Sequence, residues 1–390
     1  MMDPIPPSKN RPLVLIAHFR PDIVSGAERS IADLVDHLQA EFQMVMLAPQ
    51  AGRLADFYRQ RGFNVWIKEI QNYRRRYPGL HTVQSYLFAR QMRQRGVGAV
   101  LCNTFAAASR LIDACRYARV PCAIYVREYV SDTPLHRAIL ARADRVFVIS
   151  RDLQAWMSAM TDPARVRLTY NHINPAPILE RAARHRQSGQ RLLPFSPAAP
   201  VVGLVGRVAP FKQQDLFVRA VAQVLQAVPE ARFVVVGAAQ GKDQDYERRV
   251  HRLAADLGLG ERVAFVGHRA DNVELMTEMT VTCLTSTREP LGRVILEGFL
   301  LGVPVVAANT GGADELVEDE VDGLKFASTA SDACEQLAAQ IIRLLQDPAL
   351  RDRLARRGRE KVLATFAGDR YVRLQAQYIH ELTASNENHA

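Results

Sequence analysis

Arg207 and Lys212 stand five residues apart on a segment that leaves an apolar run, Gly203-Leu204-Val205-Gly206-Arg207-Val208-Ala209-Pro210-Phe211-Lys212. Arginine offers a planar fork to phosphate oxygens and lysine a compact charge, so the pair, on a turn at a strand's carboxyl end, suits a pyrophosphate. Two solvated loop cations are the plainer alternative. A second block, Thr285-Ser286-Thr287-Arg288-Glu289-Pro290-Leu291-Gly292-Arg293-Val294-Ile295-Leu296-Glu297-Gly298, sets two carboxylates apart by seven residues. Pro290 suits the first turn of a helix, and Gly292 lets a ligand approach the free amides of that turn. Glu297 falls on an otherwise apolar stretch, where a carboxylate is costly to bury unless something hydrogen-bonds it. Sugar hydroxyls are suitable donors, and one capping plus one solvated glutamate is the alternative.

Strand-length apolar runs must position these residues. They recur at 13–17, 43–48, 99–102, 122–126 and 145–149, and again at 201–205, 232–236, 263–266, 281–284 and 304–307. Amphipathic stretches separate them, at 27–38, 82–95, 214–227, 246–257, 293–301 and 331–346. Runs without alternation, separated by helices, mark strands buried on both faces of parallel sheets. The expected fold is α/β with two doubly wound domains in tandem, and a site at the carboxyl ends of their strands, in a cleft between them. Residues 1–177 form the first domain, 178–198 a proline-rich, basic linker whose middle a helix could occupy, and 199–367 the second, with a last helix at about 368–390 packing back on the first.

Composition narrows the classes further. In 390 residues, 48% are hydrophobic and 23% charged, a soluble globular mixture. Fifty Lys+Arg against 41 Asp+Glu give +9, which favours phosphate-bearing partners. The five cysteines are scattered with no metal or C-x-x-C spacing and read as buried reduced thiols. The N-terminal dozen residues lack a signal peptide's apolar core, and no apolar run reaches a membrane span's length, so a cytoplasmic protein is expected. Residues 237–242 imitate a phosphate loop, but the glycine spacing is one short and Asp243 replaces the required Ser/Thr. No G-x-S-x-G or H-E-x-x-H is present.

Gly206-Arg207 with Lys212, the Glu289 to Glu297 block, and Gly302-Val303-Pro304-Val305-Val306-Ala307 followed by Gly311-Gly312 together resemble the retaining glycosyltransferases of family 4. Ser25-Gly26-Ala27-Glu28 looks like that family's N-terminal glycine loop, and Val148-Ile149-Ser150 like its end-of-strand serine. The resemblance implies the GT-B fold, two Rossmann-like domains facing a central cleft. It implies transfer of a hexose-type sugar from a nucleotide sugar of the UDP kind to a glycan, lipid-linked or small-molecule acceptor, with retention and without a metal or other cofactor. Arg207 and Lys212 would hold the diphosphate and Glu297 the ribose, with Gly206 also donor-binding. Glu289, next to Pro290 and with the amides of Leu291 and Gly292, would face the sugar. Arg207, Lys212 and Glu289 are the implied catalytic set. The base would rest near His268 and Arg269, and the loop at Gly26 and Ala27 would approach from the opposite domain. Asp243-Gln244-Asp245 matches the metal-holding Asp-x-Asp of the other glycosyltransferase fold but reads as a solvated polar loop.

Two departures fall on the acceptor side. Many members have a cleft histidine where this chain reads Val126-Arg127-Glu128, and an Asn-Gly-Val-Asp where it reads Asn171-His172-Ile173-Asn174. Arg127 and Glu128, with His18 and Glu28, are the acceptor-side candidates. A sugar-nucleotide epimerase is the enzymatic rival, with Glu128 or His18 over the sugar; a nucleic-acid-binding protein is the nonenzymatic one, though zinc-finger spacing and aromatic–basic RNA motifs are missing. Within 65–95, Trp66, Tyr73, Tyr77 and Tyr86 mix with Arg74-Arg75-Arg76, Arg90, Arg93 and Arg95. That mixture suggests reversible contact with an anionic membrane surface, the alternative being an ordinary solvated helix and loop.

Overall fold

Uninterrupted apolar runs set the strands. Leu13–Ala17 (β1) is LVLIA, and from Val14 onward every residue is buried. The computed structural model describes residues 11–18, 26–71 and 77–387. The basic run Arg74-Arg75-Arg76, Tyr73 and Ser25 lie outside the described residues.

After β1 come α1 (Gly26–Leu38), β2 (Gln43–Ala48), α2 (Arg53–Gln60), β3 (Asn64–Ile67), α3 (Pro78–Gln94), β4 (Val97–Cys102), α4 (Phe105–Ala118), β5 (Cys122–Val126), α5 (Pro134–Leu140), β6 (Arg145–Val148), α6 (Arg151–Ser158) and β7 (Val166–Leu168). Among the described residues these strands form one seven-stranded parallel sheet ordered β3-β2-β1-β4-β5-β6-β7. Ser150 follows β6 and accepts a hydrogen bond from the Leu153 amide, capping α6.

The second unit opens with α7 (Pro175–Ser188) and continues through β8 (Val201–Val205), α8 (Gln214–Ala227), β9 (Arg232–Val236), α9 (Gln244–Asp256), β10 (Val263–Phe265), α10 (Asn272–Thr277), β11 (Val281–Leu284), α11 (Arg293–Leu301), β12 (Val305–Ala308), α12 (Gly311–Leu316), β13 (Leu324–Phe326), α13 (Ala333–Gln346) and α14 (Pro348–Thr365). Its parallel sheet is ordered β10-β9-β8-β11-β12-β13. The last helix, α15 (Asp369–Glu387), belongs to the first unit, where Val372, Ala376, Ile379 and Leu382 join the core of β1, β2, α1 and α2.

The compact units are 1–173 with 368–390, and 174–367. The expected linker at 178–198 therefore differs from the structure at its start. Asn174 caps α7 by accepting from the Ala176 amide, and Gly189 ends the helix in the left-handed region. Charges of the helix and of the segment after it are engaged within the unit: Arg181 forks onto Glu274, and His185, with Arg191 beyond the helix, meets Glu278. These ion pairs add to the burial of Ile178 and Ala182, the helix's short apolar face. The apolar-run reading also passes over β3, β7 and β13, which are three or four residues long, carry Asn64, Arg167 and Lys325, and lie at sheet edges. Among the described residues no helix is long and apolar enough to cross a membrane.

Candidate functional site

In a doubly wound sheet the strand order reverses between the first strand and the next one laid on its other side, and ligands bind beyond the carboxyl ends there. In the second unit that point lies between β8 and β11. The loops leaving these two strands carry Gly206 to Lys212 and Thr285 to Gly292.

Hydrogen bonds stitch the two loops together. The Thr285 hydroxyl donates to the Lys212 carbonyl at 2.6 Å, and the Thr287 amide to the Phe211 carbonyl at 2.8 Å. Gln214, fully buried, donates to the Arg207 carbonyl and accepts from the Ala209 amide, so it fixes the turn from beneath. Lys212 Nζ lies 2.5 Å from Glu289 Oε2, which also accepts the Ser286 hydroxyl at 2.7 Å. Glu289 is buried, and this pair of partners offsets its desolvation. Arg207 is exposed, and its guanidinium lies 5.5 Å from the centre of the Phe211 ring, with the Lys212 ammonium 5.4 Å from the same ring. Both cations expected on this turn are thus held at one aromatic side chain.

Pro290 does not enter the first turn of a helix. Helix α11 begins at Arg293, because Gly292 adopts φ 93°, a left-handed conformation that keeps the helix from starting sooner. The Glu289 carbonyl accepts the Gly312 amide at 2.7 Å, and a Cβ at Gly312 would sit 2.3 Å from the Pro290 oxygen. The β12 exit is thereby pressed against Pro290 and Leu291. Glu297, also buried, is one turn into α11 and accepts from Arg293 Nε at 2.9 Å. Its burial is compensated within its own helix, by a partner the sequence reading did not assign.

His268 is exposed beyond β10, and Arg269 forks onto Asp271 at 2.7 and 2.6 Å. That guanidinium holds the Asp271 carboxyl below its usual range. The Gly267 carbonyl accepts the Gly237 amide, so the phosphate-loop look-alike uses its first glycine in binding the β9 exit to the β10 exit. Asp243-Gln244-Asp245 is less purely loop than expected: Gln244 starts α9, and Asp245 pairs with Arg248 on the exposed face.

The first unit has its own polar cluster at the β1–β4 switch. His18, just past β1, makes a 3.0 Å contact between Nε2 and the Tyr58 hydroxyl, and a longer one, 3.4 Å, between Nδ1 and Asn103 Nδ2. Arg127, just past β5, donates to Asn103 at 3.0 Å and to Asn171, and lies 4.7 Å from the Tyr125 ring centre. Burial pulls the His18 imidazole down to about 4, a shift that the Glu28 charge opposes and the Arg127 charge reinforces. Burial, with Glu28, likewise pushes the Tyr58 phenol well up. His18, Glu28 and Arg127 therefore share one electrostatic environment, whereas Glu128 is exposed to solvent. Gly26 and Ala27 open α1.

Sequence reasoning missed Asn103, Tyr58, Ser286, Thr310 and Ser328, the last two donating to the Ser286 carbonyl at 3.0 and 3.2 Å. Asn103 had a readable signal, being the first polar residue beyond a buried strand, as Arg127 is. Tyr58 had none, since a tyrosine on an amphipathic helix reads as core.

Two family models match the chain, "Glycosyl transferases group 1" over residues 192–361 and "Glycosyltransferase Family 4" over residues 24–176. The D-inositol 3-phosphate glycosyltransferase of Stackebrandtia nassauensis is 37% identical over 172 residues, 42% of this chain and 38% of that protein. The lipopolysaccharide core biosynthesis glycosyltransferase LpsE of Rhizobium meliloti is 34% identical over 182 residues, 46% of this chain and 50% of that protein. The chain thus spans half or less of the length of these two curated relatives. Among solved structures, Anabaena HepE in complex with UDP and glucose matches with a TM-score of 0.80 at 25% identity, over 96% of this chain and 100% of that one. WaaG, a glycosyltransferase involved in lipopolysaccharide biosynthesis, matches in fold with a TM-score of 0.68 at 16% identity, over 94% and 99%. With these neighbours, the two Rossmann-like units make the GT-B fold.

Proposed function

Because the chain belongs to glycosyltransferase family 4, we propose that it moves a hexose-type sugar from a UDP-linked donor to a glycan, lipid-linked or small-molecule acceptor, with retention and without a metal. A cytoplasmic setting is part of this reading. The observation that carries it is the Lys212–Glu289 pair at 2.5 Å, at the carboxyl ends of β8 and β11, with Arg207 on the same turn. The complexes of HepE with UDP and with UDP-glucose support the choice of base for a chain of this fold.

In this reading Arg207 and Lys212 take up the charge that develops on the departing diphosphate, assisted by amides at the start of α11. Glu289 exchanges its Lys212 contact for hydroxyls of the sugar, and Ser286 keeps its carboxylate oriented. Arg293 holds the Glu297 carboxylate in place toward the ribose. The acceptor hydroxyl attacks from the face the diphosphate leaves, and a leaving phosphate oxygen takes the hydroxyl proton. His18, Glu28 and Arg127 belong to the acceptor side. Gly26, Ala27, Gly206, His268, Arg269, Pro290, Leu291 and Gly292 complete the donor side.

A saturation-transfer NMR screen across nucleotide sugars tests the donor. Signal from a UDP-hexose, lost on Lys212→Ala, is expected; a folded protein that binds no UDP-sugar would sink the reading. Incubating donor alone separates out an epimerase, which converts it without an acceptor.

A further inference from the structure

Helices α8 and α9 lie side by side in the second unit, and their inner faces share one core through Phe217, Val221, Tyr246 and Val250. Between their outer faces runs a groove of about 420 Å³, a size within the range of small-molecule sites. Arg219 enters its wall from α8, and Arg249 and Arg252 from α9. None of the donor-side or acceptor-side candidates lines it.

Two carboxylates in the wall leave most of this positive charge in place. Asp215 accepts the Tyr246 hydroxyl at 2.5 Å and lies 3.6 Å from Arg219. Arg249 and Arg252 are exposed, and neither forms an ion pair among the described residues. Arg249 is carried over the Tyr246 ring, 5.7 Å from its centre. Guanidinium forks converging from two helices suit the oxygens of one phosphate. A nucleobase would need an open aromatic face, whereas Tyr246 is buried. A hydroxylated, non-aromatic body fits better, with its C–H edges on Val250 and Leu253 and its hydroxyls donating to Asp256, one turn beyond Arg252.

Both walls reach the turn that carries Arg207 and Lys212. The Tyr246 hydroxyl accepts the Asp215 amide at 3.2 Å, fixing the first turn of α8, and the adjacent Gln214 holds the Arg207 carbonyl and the Ala209 amide. In the first turn of α9, Glu247 accepts the Ala239 amide at 3.2 Å, and the neighbouring Ala238 carbonyl accepts the Val208 amide at 3.2 Å. A ligand that bridges the two helices therefore acts on that turn from both.

We propose that the α8–α9 groove is an effector site for a sugar phosphate, whose phosphate bridges Arg219 to Arg249 and Arg252 and whose occupancy tightens donor binding. The site goes beyond the proposed function, and only its effect on the donor rests on that reading. The gain comes from ordering the Arg207–Lys212 turn before the donor arrives.

Calorimetry on the full chain tests it, with glucose 6-phosphate as the probe and glucose, inorganic phosphate and AMP for comparison. Saturable binding of glucose 6-phosphate is expected with a Kd of about 1 mM or below, weaker for phosphate and AMP and absent for glucose. In its presence the Kd for UDP falls about fivefold or more, and UDP tightens the sugar phosphate by the same factor. Replacing Arg249 and Arg252 together by Ser lowers affinity for the probe about 100-fold and removes the coupling. Circular dichroism of that variant, and its UDP binding without the probe, stay unchanged. Absence of saturable glucose 6-phosphate binding overturns the proposal, as does undiminished binding by the folded variant. A UDP Kd that stays or rises with the probe present also overturns it, and so does tighter binding of AMP, which would make the groove a nucleotide site. UDP is titrated first without the probe, so failure there counts against the donor reading alone, and failure of the sugar phosphate to bind counts against the groove alone.

Discussion

In the proposed reading Lys212 has two claimants for its charge, the buried Glu289 and a phosphate oxygen of the donor. Replacing Lys212 or Arg207 by Ala is expected to lower kcat about 100-fold or more, the usual effect of deleting one aligned donor to a developing charge. Near-normal turnover by a folded Lys212→Ala protein rejects the clamp. The carboxylates should separate kinetically: Glu297→Gln raises the donor KM, whereas Glu289→Gln lowers kcat. Identical profiles would mean that their roles are wrongly divided. His18 supplies a pH test. Its folded value near 4 lies below the ordinary 6.5, so the unfolded chain takes up a proton that the folded one refuses as pH falls from 6.5 toward 4. Stability is lost across that window, by about 3 kcal/mol at its lower end. His18→Gln should flatten this part of a urea-denaturation pH profile; an unchanged slope would place the acid sensitivity elsewhere. Types and spacing made Arg207, Lys212, Glu289 and Glu297 legible in the sequence. Which partners hold them was not: Arg293 and Ser286 matter through side-chain direction, and Glu128 reads like Arg127 until the chain turn exposes one and half-buries the other.

At the scale of elements, the long buried strands are legible because a run such as Val201–Val205 has only one way to avoid water on both faces. Short edge strands and α7 are not. The former bury too little to show a pattern, and the latter buries only Ile178 and Ala182 and is otherwise secured by Arg181 and His185 reaching glutamates that are distant in sequence. The loops between elements make a sharper demand. Gly312 lies where any side chain would meet the Pro290 carbonyl, so Gly312→Ala must push the β12 exit away from the Glu289 loop. The expected cost is about 1 to 3 kcal/mol, visible as a lower urea midpoint, with a lower kcat as Glu289 shifts. Full stability and full activity in this variant would show that the contact relaxes freely.

For the molecule as a whole, supplying charge stabilisation from cations and helix amides predicts that transfer survives EDTA and that NMR of the product shows the donor's anomeric configuration. A strict requirement for Mn²⁺ or Mg²⁺, or an inverted linkage, would overturn that mechanism. The return of α15 to the first unit bears on another matter, the order in which the protein is made. Gln375 accepts from the Tyr125 hydroxyl at 2.5 Å and donates to the Thr169 carbonyl, and four apolar residues of α15 complete the first unit's core. Residues 174–367 must leave the ribosome before any of these partners arrive. At typical rates of synthesis that interval is about 10 to 40 s. The second unit, though translated later, is thus the first whose sequence is complete, and the earlier-made half waits with an uncovered sheet face for the final helix to close it.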